Sequence, residues 1–345
     1  MPLTLPPLDD ILRSSVVVAI PFRVPFRGVT IREVIFLRGS LRVGEWSAFQ
    51  EYSDEVSARW LAMALEQAYH PGLLEPDVSR APISVNAIFP ALPLEEIPGW
   101  WQEFPGATSA KIKVAESSSS LRTDMTRVNA VRETIGREAA LRLDANGRWS
   151  VDEAEDALQR LSVFSLDYVE QPVATIHEMV ELKRRLKGSG IRLAADELIR
   201  ESSSLDDVIS AGAADVAVLK VSPLGGIQHT LELARQANAA GLEVVLSSAL
   251  ETSVGLSWGI QAAALIRHEL GSLPDAGLAT SVLFERDVVS NPVRVVDGPV
   301  PVSEPEIDER VLKKLLAPPQ RTRWWRDRLR RCFPLALDVL GSRPG

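Results

Sequence analysis

Cysteine is nearly absent. Cys332 is the only one in 345 residues, so no intrachain disulfide can form, and no Cys/His cluster has the spacing of a structural zinc site. The four histidines, His70, His177, His229 and His268, are scattered without ligand spacing. Long apolar runs are missing too. The longest early one, Val16 to Ile20, falls far short of the ~20 residues needed to span a bilayer, and it ends in Pro21 rather than a small-residue cleavage site. The expectation is a cytoplasmic chain with neither transmembrane helix nor signal peptide, so no membrane partner is expected. Basic charge is in deficit, with 38 Lys and Arg against 46 Asp and Glu and a formal net charge of −8. That balance argues against nucleic acid as the main partner, because phosphate binding needs clustered cations.

One stretch departs from this balance. From Arg321 onward there are seven Arg and two Asp. The run Trp324 to Arg331 reads either as a membrane or nucleic-acid patch, or as a terminal helix docking its Trp and Leu side chains on an acidic body while the Arg heads stay in water. The second reading is preferred. Trp100-Trp101 and Trp324-Trp325 read as packing groups.

Two domains are the default for this length, and an α/β barrel of about 250 residues counts as one. The division expected is residues 1–100 as a small α+β unit, 101–320 as a barrel and 321–345 as a basic tail. In the first unit, Ser15–Ile20 and Ile31–Leu37 are β-branched runs, and Leu41–Trp46 is a candidate return strand after the Arg38-Gly39-Ser40 turn. Asp54–Tyr69 carries apolar residues at helical spacing behind Ser53 or Asp54 as N-cap. Next comes a regular alternation of apolar runs (Ile83–Phe89, Ala110–Val114, Ala140–Leu143, Asp167–Val169, Ile191–Ala195, Val216–Leu219, Glu243–Leu246) with helical patterns between them. Such alternation marks βαβ units, and continuous apolar runs mark parallel strands buried on both faces. Seven or eight units without a Gly-rich dinucleotide turn favour a closed barrel over an open sheet.

A charged or polar residue ends nearly every run: Lys111 and Lys113, then Asp144, Glu170, Asp196, Lys220 and Ser247-Ser248, spaced 24 to 31 residues apart. Alone, each reads as an edge lysine, a turn or a cap. Independent turns have no reason to recur in phase with the barrel, whose C-terminal strand ends converge on one mouth. Three carboxylates gathered there repel one another and call for a cation. Hard oxygen ligands suit Mg²⁺, with Mn²⁺ as the alternative, so Asp144, Glu170 and Asp196 are the candidate ligands. Lys111 and Lys113 lie two apart on a strand and therefore share a face, and Lys220 approaches from the far side. Two basic groups on opposite faces of a substrate, with a cation on its carboxylate, form apparatus for removing a proton α to that carboxylate. The expected partner is a small-molecule carboxylate.

The phrases Ala110-Lys111-Ile112-Lys113-Val114, Leu143-Asp144-Ala145-Asn146, Val169-Glu170-Gln171-Pro172, Ala195-Asp196-Glu197 and Leu219-Lys220 resemble the muconate-lactonising subgroup of the enolase superfamily. The resemblance runs through most of residues 15–300. It implies a modified TIM barrel, (β/α)₇β, under an N-terminal α+β capping domain whose loops, matched here by Pro25-Phe26-Arg27-Gly28 and Gly44-Glu45-Trp46-Ser47, cover the mouth. Phe26 to Glu33, the Gly44-Glu45 turn and Ser247 to Thr252 resemble most a dehydrating branch of that subgroup. This implies syn elimination of water from 2-succinyl-6-hydroxy-2,4-cyclohexadiene-1-carboxylate, a step of menaquinone biosynthesis. Lys113 would remove the α proton and return it to the departing hydroxyl, Lys111 would stabilise the enediolate, and Lys220 would act electrostatically from the other face. Arg27, Asn146, Gly225, Ser247, Ser248 and Glu251 are the candidate substrate-binding residues. Ser247, Ser248 and Glu251 serve equally as helix caps, and Gly225-Gly226 either presents helix N–H groups to a carboxylate or forms a plain turn. The rival readings are an N-acylamino acid racemase or dipeptide epimerase on the same scaffold, a Schiff-base aldolase using Lys220, and a non-catalytic barrel. Oligomeric state is not determined by these features, and a monomer is favoured.

Overall fold

In the computed structural model, which describes residues 3–70, 78–116, 119–200 and 204–341, the chain begins with α1 (Leu8–Ser14) and a three-stranded antiparallel sheet. Its strands are β1 (Val16–Phe26), β2 (Val29–Arg38) and β3 (Val43–Trp46). Arg27 and Gly28, both at positive φ (54° and 77°), form the two-residue turn between β1 and β2, the hairpin geometry that matches strand twist. Helix α2 (Asp54–Tyr69) packs on this sheet; Ser53 caps it by accepting the Val56 N–H.

The barrel follows. Its strands are β4 (Ile83–Ser84) and β5 (Ala87–Phe89), then, after α3 (Ile97–Trp101), β6 (Ser109–Lys113), α4 (Leu121–Ile135), β7 (Ala140–Asp144), α5 (Val151–Leu161), β8 (Leu166–Glu170), α6 (Ile176–Arg185), β9 (Leu193–Ala195), α7 (Ser204–Ala211), β10 (Val216–Lys220), α8 (Val221–Leu224), α9 (Ile227–Ala239), β11 (Glu243–Ser247) and α10 (Ser253–Leu270). Strands β5 to β11 form one parallel sheet in sequential order. Residues 276–277 close it. Gly277 N donates to Leu246 O (2.8 Å), and Asn86 N donates to Ala276 O (3.0 Å), so this segment bridges the last strand to the first and stands as the eighth strand of a (β/α)₇β barrel.

Two boundaries differ from the sequence expectation. The run Ile83–Phe89 is split in two, because Val85 and Asn86 bond to the closing segment while β4 pairs antiparallel with β12 (Pro299–Val300). Ala87–Phe89, which a division at residue 100 leaves with the first unit, is paired in parallel with β6. The helices start on local chemistry: Ser150 with Glu153 and Thr175 with Glu178 form reciprocal capping boxes.

After the barrel the chain returns to the cap through α11 (Glu309–Lys314), a backbone bond from Ala19 N to Leu315 O (2.9 Å) and α12 (Pro319–Gly341). The basic tail docks as a helix. Trp325, Leu329, Cys332 and Ala336 are buried, and the Trp325 ring meets Trp46 edge-on at 5.3 Å. Arg321 pairs with Glu33, and Arg331 with Asp54. Arg328 departs from the expectation of arginine heads in water: it is 1% exposed and donates to Phe49 O, Tyr52 O and Ser57 Oγ. Residues 342–345 lie outside the described part. No helix among the described residues is long and apolar enough to cross a membrane.

Candidate active site

Strand register assembles the charged row. Lys113 stands opposite Asp144, Asp144 opposite Glu170, and Lys220 opposite Ser247. All of β6 and β10 is buried despite its lysines, since alternate residues of a barrel strand point inward. Lys111, Lys113, Asp144, Glu170, Asp196 and Lys220 are each at most 7% exposed. Lys111 Nζ lies 2.7 Å from Glu170 Oε2 and 3.9 Å from Asp144 Oδ2. Lys113 Nζ bonds Asp144 Oδ2 and lies 2.8 Å from Asn146 Oδ1. From the far side, Lys220 Nζ reaches Asp196 Oδ2 at 2.6 Å and Glu170 Oε1 at 4.0 Å.

The two lysines of β6 are driven apart electrostatically. Burial depresses Lys113, with Arg27 and Lys111 adding to the fall and Asp144 opposing it, and the net result is a pKa of about 8. Burial acts on Lys111 in the same sense, but Glu170 and Asp144 outweigh it and hold the ammonium above its ordinary value. Burial, then repulsion from Asp144, pushes Glu170 up to about 7. For Asp144 and Asp196 the burial penalty is overcome by the neighbouring cations. Lys113 and Lys111 bring Asp144 to about 2, and Lys220 and Arg200 hold Asp196 well below the usual range.

Each carboxylate thus turns toward a lysine, and among the described residues no three acidic, His or Cys side chains are gathered tightly enough to hold a cation as they stand. The oxygens left over are informative. Glu170 Oε1 and Asp196 Oδ1 are buried without a hydrogen-bond partner, which is costly unless something else satisfies them. Two orphaned carboxylate oxygens in an all-oxygen donor set fit a hard divalent cation.

A cavity of about 490 Å³ opens over this row, lined by Lys111, Lys113, Asp144 and Lys220 on the polar side and by Phe26, Phe49, Ile88, Ala249 and Leu250 on the apolar side. Of the expected substrate-binding residues, Arg27, Ser247 and Ser248 line it. Three others are placed differently. Asn146 is held beside Lys113 and Glu197, donating to Glu197 Oε1 at 3.1 Å. Glu251 is behind the wall, its oxygens taking Ser222 Oγ (2.5 Å) and Ala249 N (2.6 Å). Gly225 ends the short helix α8 at φ 93°, and the helix amino end that follows already faces a carboxylate of the protein itself, Glu66 Oε1 at 3.0 Å from Ile227 N. The second of the two sequence readings, a turn, describes Gly225.

Sequence reasoning missed Arg200, which lines the cavity and joins Asp196 (3.2 Å) and Glu197 (2.8 Å) to the Tyr52 hydroxyl (2.7 Å) of the cap. Its signal was its place four residues after Asp196, next to a candidate ligand. Asn86, Thr280 and Gly277 were also missed; they come from the closing strand and its neighbours, where no apolar run marks them.

A row of lysines and carboxylates at the mouth of a (β/α)₇β barrel, under an α+β cap, defines an enzyme of the enolase type. Residues 101–306 match the family described as "Enolase C-terminal domain-like", and 17–68 that described as "Enolase N-terminal domain-like". The chain belongs to the enolase superfamily, and within it to the o-succinylbenzoate synthase family: it is 45% identical over 343 residues, 99% of each chain, to the o-succinylbenzoate synthase of Mycobacterium ulcerans (strain Agy99). Solved structures share the fold. They include muconate lactonizing enzyme from Pseudomonas fluorescens complexed with muconolactone (TM-score 0.73, 21% identity, covering 88% of this chain and 98% of that one). Another is dipeptide epimerase from Cytophaga hutchinsonii complexed with Mg and a dipeptide (TM-score 0.71, 20% identity, 87% and 96%).

Proposed function

We infer that this chain catalyses the Mg²⁺-dependent dehydration of 2-succinyl-6-hydroxy-2,4-cyclohexadiene-1-carboxylate to o-succinylbenzoate, the aromatising step that gives its relatives their name. The observation that carries this reading is full-length identity of 45% to a chain named for that product, in a protein that has all three lysines and all three carboxylates at one cavity.

Lys113 is assigned as the base. Its depressed pKa makes a neutral amine available near neutral pH, and its bond to Asp144 and Asn146 aims the nitrogen. The proton it takes from the carbon α to the ring carboxylate leaves an electron pair delocalised into an enediolate. Lys111, held as an ammonium by Glu170 and Asp144, donates charge to that developing anion. Collapse of the enediolate expels the neighbouring hydroxyl, which leaves as water with the proton returned by Lys113 on the same face. Lys220 contributes its positive charge from the opposite side. Asp144, Glu170 and Asp196 would hold the cation, which when bound supplies a fixed double positive charge opposite the substrate carboxylate. The apolar wall of Phe26, Phe49, Ala249 and Leu250 suits the ring and the succinyl chain while excluding water.

Racemase and epimerase chemistry needs the same lysines, so the pocket decides. Asp144 is the only acidic residue among the described ones lining the cavity, whereas a dipeptide ammonium group calls for a carboxylate of its own. Asp275 bonds Ser109 (2.6 Å), and Asp287 bonds Ser253 (2.7 Å), both away from the cavity. Parallel kinetics on the cyclohexadiene carboxylate, N-acylamino acids and dipeptides test the assignment: the expected kcat/KM is greatest for dehydration, and a higher value for racemisation would reverse it.

A further inference from the structure

Arg32 lies on capping strand β2, is 3% exposed, and among the described residues has no carboxylate at ion-pair distance. An unpaired buried guanidinium is costly, and burial brings its pKa down to about 10 with Glu251 and Glu45 opposing the fall. It therefore remains a cation at neutral pH. What it touches is all of one kind. Arg32 Nε donates to Leu250 O (3.1 Å), and Nη2 donates to Ala249 O (3.1 Å) and to Ser47 O. Its guanidinium carbon stands 4.3 Å from the centre of the Phe49 ring, a cation–π distance. Ala249, Leu250 and Phe49 all line the cavity, and Arg32 does not.

The turn it grips is under strain. Leu250 has φ 66°, a left-handed conformation that a branched side chain adopts only when its surroundings impose it. The same turn is tied from below, where Ala249 N donates to Glu251 Oε2 at 2.6 Å and the other oxygen of Glu251 takes Ser222 Oγ at 2.5 Å. The barrel thus holds the turn by an amide, and the cap holds it by two carbonyls.

We propose that Arg32 is a positioning residue of this enzyme: by clamping the Ala249 and Leu250 carbonyls to the capping strand and seating Phe49 against its guanidinium, it fixes the wall that receives the part of the substrate remote from the lysines. The substrate half of this statement rests on the function proposed above. Because the lysine and carboxylate row is untouched by Arg32, loss of the clamp loosens substrate binding and leaves the proton transfers of the bound complex nearly intact.

The test uses Arg32→Met and Arg32→Lys in the full chain, with two readouts: kcat and KM for dehydration, and hydrogen–deuterium exchange of the Ala249 amide without substrate. Hydrogen bonds to a charged group correspond to roughly a 10- to 100-fold effect when lost. The expected result is a rise in KM of that order in Arg32→Met with kcat within about threefold of the wild type, faster exchange at Ala249, and partial recovery of both by Arg32→Lys, which keeps a donating cation. An unchanged KM and unchanged exchange overturn the proposal, as does a fall in kcat at constant KM. Should Arg32→Met fail to fold, Arg32→Lys decides alone: wild-type KM and wild-type exchange in that variant overturn the clamp. If the wild type does not dehydrate the substrate, the functional reading fails, and the exchange data still judge the clamp.

Discussion

Lys111 Nζ lies 2.7 Å from one oxygen of Glu170, and the other oxygen of that buried carboxylate has no hydrogen-bond partner. The lysine organises half of the group and leaves the other half facing the Asp196 side of the mouth, where Asp196 Oδ1 is likewise unpartnered. EDTA treatment should abolish turnover and added Mg²⁺ restore it. Glu170→Gln should weaken Mg²⁺ binding by at least about 100-fold, since even partners one shell further from a metal account for 10–100-fold. Isothermal titration calorimetry with Mg²⁺ alone checks this; equal affinity in the two proteins would remove Glu170 from the ligand set.

Lys113→Ala should lower kcat by about 10²–10⁴-fold, the usual contribution of a positioned acid–base group, with the far-UV circular dichroism of the wild type. Lys220→Ala should also lower kcat, but its α-proton exchange with solvent should survive better than that of Lys113→Ala, because Lys220 is assigned to charge stabilisation. A Lys220 variant that loses exchange while Lys113→Ala keeps it would invert the roles.

Glu45 gives the fold a pH dependence. It is fully buried between the cap and the start of α10, accepting from Thr252 N (3.1 Å), Thr252 Oγ1 (2.5 Å) and Gly255 N (2.9 Å). Burial raises its carboxyl from 4.5 to about 7 against those hydrogen bonds, with Glu251 adding to the rise. Between these values the folded protein holds a proton that the unfolded chain has released. Stability therefore falls as pH rises through that window and levels off above it, by roughly 2–3 kcal/mol for this group. Urea titrations from pH 4.5 to 7.5 should show a shallower fall in Glu45→Gln than in the wild type; identical slopes would show that Glu45 titrates normally.

The tail acts on stability. Trp325 is fully buried, donates to Glu33 Oε2 (2.7 Å) and packs on Trp46. Trp325→Ala should cost about 3–5 kcal/mol while leaving kcat per folded molecule unchanged at low temperature. A wild-type unfolding midpoint in that variant would mean that α12 contributes little to the fold.

The parallel strands and the charged row were legible because the barrel repeats one unit, so that each polar strand end recurs in phase with the last; Lys113, Asp144 and Glu170 stand side by side for that reason. The closing strand at 276–277 was not legible. Two residues hydrogen-bonded between neighbours need no apolar run of their own. Gly225 and Glu251 were misjudged as substrate contacts because polar groups near a barrel mouth can be consumed by the protein itself. Glu66 from the cap occupies the helix end after Gly225, and Ser222 and Ala249 occupy Glu251. Contacts between distant parts of the chain, such as Arg200 with Tyr52 or Arg328 with Phe49, leave no local sequence pattern.

Product formation tests the central claim most directly. The purified protein is incubated with Mg²⁺ and 2-succinyl-6-hydroxy-2,4-cyclohexadiene-1-carboxylate, alongside an EDTA control and the Lys113→Ala variant. The account predicts o-succinylbenzoate from the wild type with metal and almost none from either control. No product from the wild type, with α-deuterium exchange into N-acylamino acids or dipeptides instead, would contradict it.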